Sequence, residues 1–173
     1  GIDAPLLVLS EQPPDAASVI VANDLTPTVY TDGFIDALAA AALAAGRSDR
    51  TVHVKVDTGM QRVGAQPEAV TALVERIGEH SPMLRLGGVF THLAVADEPD
   101  RAETELQLAR FDAALTDLRD HGIDPGTVHT ANSAATLLHP AARRDLVRVG
   151  IATYGVPPAP GVGAGLGLRP ALS

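Results

Sequence analysis

The chain has 173 residues, 46% hydrophobic and only 3% aromatic, with 13 basic against 21 acidic side chains and a net charge of −8. That is enough chain for one packed domain with a core of Ala, Val and Leu, and the acidic balance, with no basic run, argues against nucleic acid or an anionic membrane as a partner. No apolar run approaches the ~18 residues of a membrane-spanning helix, and zero cysteines leave neither a disulfide framework nor a thiolate metal site, so a cytoplasmic protein is expected.

Leu6–Leu9 follows Pro5 as a continuous apolar run, the pattern of a strand buried on both faces. Pro13-Pro14 interrupts it, and Asp15 can cap a short helix through Ala22. Thr28–Tyr30 reads as a second strand. Phe34–Ala45, preceded by Thr31-Asp32 and stopped by Gly46, reads as a helix. Val52–Asp57 alternates as a third strand, with His53, Lys55 and Asp57 on one face and Val52, Val54 and Val56 on the other. Pro67 suits a first helical position, and Val70, Leu73, Val74 and Ile77 recur at helical spacing. Gly87–His92 is expected as a fourth strand. Glu103–Asp120 should form a helix with Leu108, Phe111, Leu115 and Leu118 along its apolar side. Thr127–Ala131 follows as a fifth strand, a helix starts at Ser133, and Leu146–Val149 is expected as a sixth strand.

Strand and helix in alternation imply a parallel sheet covered by helices. An open doubly wound sheet and a (β/α)8 TIM barrel lacking two units both fit, but no G-x-G-x-x-G follows the first strand. The polar residues that stand out, Lys55, Asp57, His92, Asn132 and Arg148, all fall where strands end, and in a barrel those positions ring one mouth. From Val156 the Pro/Gly-rich tail reads as a linker, with Leu168–Ser173 opening a second domain. The first residue is Gly rather than Met, and the last three carry no capping or turn signal, so a piece of a longer chain is expected.

Lys55 is the only lysine, against twelve arginines, so any amine chemistry within the chain must use it. Its surroundings, HVKVDTGMQRVG at 53–64, together with GIDAPLLVL at 1–9, GGVFTHLAVADE at 87–98, HTANSAAT at 129–136 and LVRVGIATYG at 146–155, resemble alanine racemase. These five segments stand in the family's order and span essentially the whole chain. The resemblance implies an α/β fold, an incomplete (β/α)8 barrel of about strands 3 to 8 over residues 1–155. Residues 156–173 would be the linker and the start of a β-rich second domain. It further implies pyridoxal 5'-phosphate as cofactor, alanine as substrate, D-alanine supplied for peptidoglycan, and a homodimer.

Carried over by position, Arg148 faces the cofactor's pyridine nitrogen. A guanidinium cannot accept a proton, so that nitrogen stays unprotonated and the ring is a weaker electron sink, which suits racemisation over transamination. His92 lies near the ring, Leu9 lines the pocket, and Asn132, Ser133, Gly150 and Ile151 serve the phosphate. Arg62 reaches the substrate carboxylate, for which a planar fork is the right shape. Lys55 matches a lysine that many members carry carbamylated, orienting that arginine; carbon dioxide adds only to a neutral amine, so burial must lower its pKa. Without the resemblance each residue has a plainer reading: a strand-end Arg paired to a carboxylate, a core His, a helix cap at Asn132-Ser133, a turn at Gly150, a core leucine, and a Lys55–Asp57 ion pair.

The family's aldimine lysine and its tyrosine base have no counterpart here, so the 173-residue chain alone is expected to be inactive. Other readings stay open, among them related racemases for serine or broader substrates and barrel decarboxylases. A metal-dependent barrel hydrolase could use carbamylated Lys55 with His92, His129 and Asp57, and a non-catalytic pyridoxal-phosphate-binding barrel would keep the cofactor without the reaction. No metal is expected under the racemase reading.

Overall fold

In the computed structural model, which describes residues 4–171, five strands lie side by side in chain order. They are β1 (Leu7–Val8), β2 (Thr26–Val29), β3 (Arg50–Val56), β4 (Leu84–Thr91) and β5 (Thr127–His129), and every neighbouring pair is parallel. Helices α1 (Ala17–Ala22), α2 (Asp32–Ala44), α3 (Val70–Glu79) and α4 (Glu103–Asp120) cross from each strand to the next, and α5 (Ser133–Leu138) follows β5. The architecture is an α/β half-barrel, an incomplete (β/α)8 barrel. Those parts of the expectations that fall on residues 1–3 and 172–173 lie outside the described residues.

The helix boundaries have local causes. Thr31 caps α2, its hydroxyl accepting from the Phe34 amide at 3.4 Å, and Asn132 caps α5 by accepting from the Ala135 amide at 2.9 Å. Pro14 and Pro67 each open a short 3-10 turn that leads into α1 and α3, because proline needs no amide acceptor there. Asp15 makes no side-chain cap, so the expected capping at that position does not form.

Alternation divides β3 as its pattern requires. Val52, Val54 and Val56 are buried in one cluster with Phe34, Ile35 and Leu38 of α2, Val70, Leu73 and Ile77 of α3, and Phe111, Leu115 and Leu118 of α4. Each such side chain taken from water contributes roughly 1.5–3 kcal/mol. The other face of the sheet carries His53, Lys55, Phe90 and His129. The strand register puts Lys55 opposite Phe90 and Phe90 opposite His129, so these three form one row across three strands.

Two further expectations need correction. Leu146–Val149 is not a strand. The Asp145 amide donates to Val128 O and the Arg148 amide to Ala131 O, so bonds to the β5 segment recur every third residue rather than every second, and no ladder forms. On α4 the buried stripe runs Thr104, Gln107, Phe111, Ala114, Leu115 and Leu118, while Leu108 is only partly buried, against a smaller cluster of Leu93, Ala96, Ala131, Ala134, Ala135 and Ala142. From residue 156 to 171 the tail contains one 3-10 turn, Ala164–Leu166, and the Ala171 amide returns to Tyr154 O at 3.1 Å. No helix among the described residues is long and apolar enough to cross a membrane.

Candidate functional site

At the carboxyl ends of β1, β4 and β5 lies a cavity of about 390 Å³. Leu9 after β1, His92 after β4, Asn132 and Ser133 after β5, and Arg148, Gly150 and Ile151 beyond α5 all line it, joined by Asp97, Ala134 and Pro158. Seven of the residues singled out from the sequence are thus brought to one place by four separate chain segments.

Arg148 is the most constrained of them. Its Nη1 donates to His129 Nδ1 at 2.8 Å, and its Nη2 donates to the carbonyls of Thr91 (2.7 Å) and Thr130 (3.2 Å), while its carbon lies 5.0 Å from the Phe90 ring centre. A guanidinium has five N–H donors. Three are used, so two remain without a protein acceptor among the described residues, at the wall of the cavity. Burial lowers the guanidinium to about 10, which still leaves it charged at neutral pH.

His129 continues the line. Because a guanidinium cannot accept, His129 Nδ1 must be the bare acceptor and Nε2 must carry the proton, which it gives to His53 Nδ1 at 3.0 Å. The His129 ring stacks on Phe90 at 4.5 Å and 8°. It is fully buried, and burial followed by the charges of Arg148 and His53 lowers its pKa to about 3. His53 is also lowered by burial. Its ring fits only because residue 88 is Gly: a Cβ there would lie 2.6 Å from His53 Cε1 and against the Thr127 carbonyl. His92 is lowered to about 4 by burial first, then by Arg148, Lys55 and Arg62, so a neutral imidazole lines the cavity.

Lys55 and Arg62 do not line the cavity. The Lys55 side chain is buried, its Nζ 3.4 Å from Leu9 O and 5.5 Å from the centre of the Phe90 ring. Burial, then Arg62 and Arg148, lower its pKa against the opposing pull of Asp57. Among the described residues Lys55 forms no ion pair with Asp57; that carboxylate instead accepts from the amides of Gly59 and Gln61, both at 3.0 Å. Arg62 is exposed on the loop that this turn shapes.

Also lining the cavity, the Ser133 hydroxyl accepts from the Ala152 amide at 3.4 Å. Gly150 and Ile151 begin a 3-10 turn, Ile151–Tyr154, and amides at a helix start have no acceptor within it. A Cβ added at Gly150 would meet nothing within 4 Å, so the backbone is bare there. Asn132 is different: its carboxamide oxygen caps α5 and its NH2 donates to Leu93 O at 3.2 Å, so its side chain holds the strand end in place. Asp97 and Pro158 were not singled out from sequence. Asp97 lies inside the segment 87–98, where the adjacent Asp97-Glu98 pair reads only as surface charge, and Pro158 sits in a run read as linker.

A half-barrel whose polar side chains converge at the carboxyl ends of its strands belongs to the class of (β/α)8 barrel proteins, which place their chemistry at that rim. Within that class, residues 1–158 match the family model described as alanine racemase, N-terminal domain. The chain is 46% identical over 176 residues to the alanine racemase of Symbiobacterium thermophilum, and 41% over 172 residues to that of Desulfovibrio desulfuricans. All or nearly all of this chain is covered (100% and 99%) but only 45% and 46% of the relatives, so it spans a little under half their length. Among solved structures, alanine racemase from Streptomyces coelicolor A3(2) superposes with a TM-score of 0.89 at 37% identity, covering 97% of this chain and 45% of that one. The Clostridium difficile 630 alanine racemase in complex with cycloserine superposes at 0.88 and 34%, covering 98% and 47%. The chain belongs to the alanine racemase family. A metal-hydrolase reading is not favoured: among the described residues no three His, Cys, Asp or Glu converge as ligands, and both ring nitrogens of His129 are already hydrogen-bonded.

Proposed function

We propose that the full-length protein interconverts L- and D-alanine with pyridoxal 5'-phosphate bound at the strand-end cavity. The observation that carries this is the half-buried, charged Arg148, with two N–H donors uncommitted among the described residues, lining the same cavity as the Ser133 hydroxyl and the bare backbone of Gly150 and Ile151. That set suits a flat heterocycle with a weakly basic nitrogen at one end and a phosphate at the other. Bound there, the cofactor supplies the electron sink that makes an amino acid's α-proton removable.

The chain's own residues then have separable tasks. Arg148 keeps its proton at working pH, so it donates to the ring nitrogen without protonating it. The neutral His92 ring offers a flat surface without a competing charge. Leu9 closes the cavity on its apolar side, and Asn132 fixes the turn that presents Ser133. Arg62 engages the substrate carboxylate, and the neutral amine of Lys55, made more available by burial, adds carbon dioxide and releases one proton to solvent, leaving a carbamate anion that pairs with Arg62 in place of the like-charge repulsion present without it. Neither residue provides the two opposed bases of the reaction, so the 173-residue chain by itself should not racemise alanine. Residues 156–173 serve as linker and start of the second domain, and the full-length protein works as a cytoplasmic homodimer supplying D-alanine for peptidoglycan.

The test is chiral analysis of L-alanine incubated with the full-length protein, alongside its visible absorbance. Racemisation with a bound pyridoxal chromophore is expected. A protein that binds no such chromophore, or binds it and leaves alanine, serine and other small amino acids unchanged, overturns the reading.

A further inference from the structure

Gln107 lies on the buried stripe of α4, 2% exposed, at a helical position where packing alone calls for an apolar side chain. Every hydrogen-bonding group of its carboxamide is engaged, and none of the partners is on its own helix. Its NH2 donates to the Thr58 hydroxyl and to the His92 carbonyl, both at 3.1 Å, and its oxygen accepts from the Ala94 amide at 2.8 Å. Thr58 in turn meets the Thr91 hydroxyl at 2.8 Å, and the Thr91 carbonyl is one of the acceptors that hold Arg148. One helical turn on, Arg110 donates to the Thr58 carbonyl at 3.0 Å. Residue 59 lets the loop lie flat on this surface: its φ is +144°, and a Cβ there would come within 3.2 Å of Arg110 and 3.4 Å of Gln107.

Two pieces of chain meet at this carboxamide, the loop from Asp57 that carries Arg62 and the turn after β4 that carries His92, and the Thr58–Thr91 contact joins them to the end of β4 that holds Arg148. Among the described residues the loop is otherwise hydrogen-bonded only at its base, by the Asp57 amide to Ala65 O (2.7 Å) and the Ala65 amide to Lys55 O (2.9 Å), and within itself by Asp57. We propose that Gln107, with Arg110 beside it, is a positioning residue that sets the Arg62 loop against the His92 turn. It touches neither substrate nor cofactor. The proposal rests on the functional reading above for what the positioning serves, but not for the coupling itself.

Three variants of the full-length protein separate positioning from packing. Gln107→Leu removes all three bonds. Gln107→Glu keeps the volume and the acceptor for Ala94 while turning both donors into acceptors. Thr58→Val leaves the helix intact and removes only the loop's hydroxyl. Two readouts are taken: amide exchange over residues 58–64 against residues 50–56 and 84–91, and the division of any lost racemase activity between KM and kcat. The expected result is exchange accelerated by about tenfold in 58–64, the equivalent of one buried hydrogen bond, with β3 and β4 unchanged, and a rise in KM for alanine of similar size with kcat changed less. A purely structural glutamine would instead lower the thermal midpoint and the active fraction at unaltered KM. Unchanged KM in all three variants, or exchange that rises equally in the strands and the loop, overturns the proposal. Should the unsubstituted protein fail to racemise alanine, the functional reading falls while exchange still decides: local acceleration supports the coupling and its absence overturns it.

Discussion

Acid should weaken this fold through His129. The group titrates at about 3 in the folded protein against 6.5 for an ordinary histidine. Because the folded value is depressed, the neutral ring is favoured by folding: the contribution is fully present above pH 6.5, where neither state is protonated, and declines as pH falls and only the unfolded chain takes up the proton. The decline runs at about 1.4 kcal/mol per pH unit, hence about 3 kcal/mol between pH 6.5 and 4. The ring is fully buried, so solvent does little to screen the effect. His92, lowered to about 4, acts in the same direction, so the pH dependence of the wild type alone does not isolate His129. The comparison is therefore with His129→Gln, which can accept from Arg148 and donate to His53 but does not titrate. Chemical unfolding at pH 7, 6, 5 and 4 should show the wild type losing about 3 kcal/mol more than the variant by pH 4, and nitrogen NMR of labelled histidine should find Nδ1 bare and Nε2 protonated throughout. Parallel stability curves for the two proteins, or a His129 ring that gains a proton above pH 5, would refute the reasoning.

Other outcomes follow from single sites. Gly88→Ala drives a methyl group into His53 and the Thr127 carbonyl, and should cost at least the roughly 1–3 kcal/mol typical of overpacking, read as a lowered thermal midpoint. Phe111→Ala, emptying a fully buried aromatic site between α4 and the sheet, should cost about 3–5 kcal/mol by the same measurement. Arg62→Ala should raise KM for alanine while leaving the thermal midpoint unchanged, since the side chain is exposed; a large loss of stability would show that the loop depends on it. With 13C-labelled bicarbonate, the 173-residue chain should give a side-chain carbamate carbon signal, distinct from any at the α-amino group, that strengthens as pH rises toward the lysine's lowered pKa and is lost in Lys55→Gln, Lys55 being the only lysine present.

What could be read from sequence were features with local causes. The valine alternation of β3, the Thr31 and Asn132 caps and the repeat along α3 all act within a few residues, and each stands in the structure where its pattern put it. Leu146–Val149 has the composition of a strand, but strand formation depends on a partner at matching spacing, and the bonds toward β5 come at the wrong interval. The sequence pattern runs the apolar side of α4 through Leu108 and so leaves Gln107 off it, and an amide on a helix says nothing about its partners.

Sequence by itself determined the alternating order of strands and helices, the face of β3 that holds the polar side chains, and, through five segments in the family's order, the kinship with alanine racemases. Tertiary structure alone decided that Arg148, His129 and His53 form one directed line of hydrogen bonds, although His53 and His129 are 76 residues apart, and that Gln107 joins two loops. Periodicity and caps are set by neighbours along the chain. A hydrogen-bond line across strands exists only once parallel pairing has fixed which residues stand side by side.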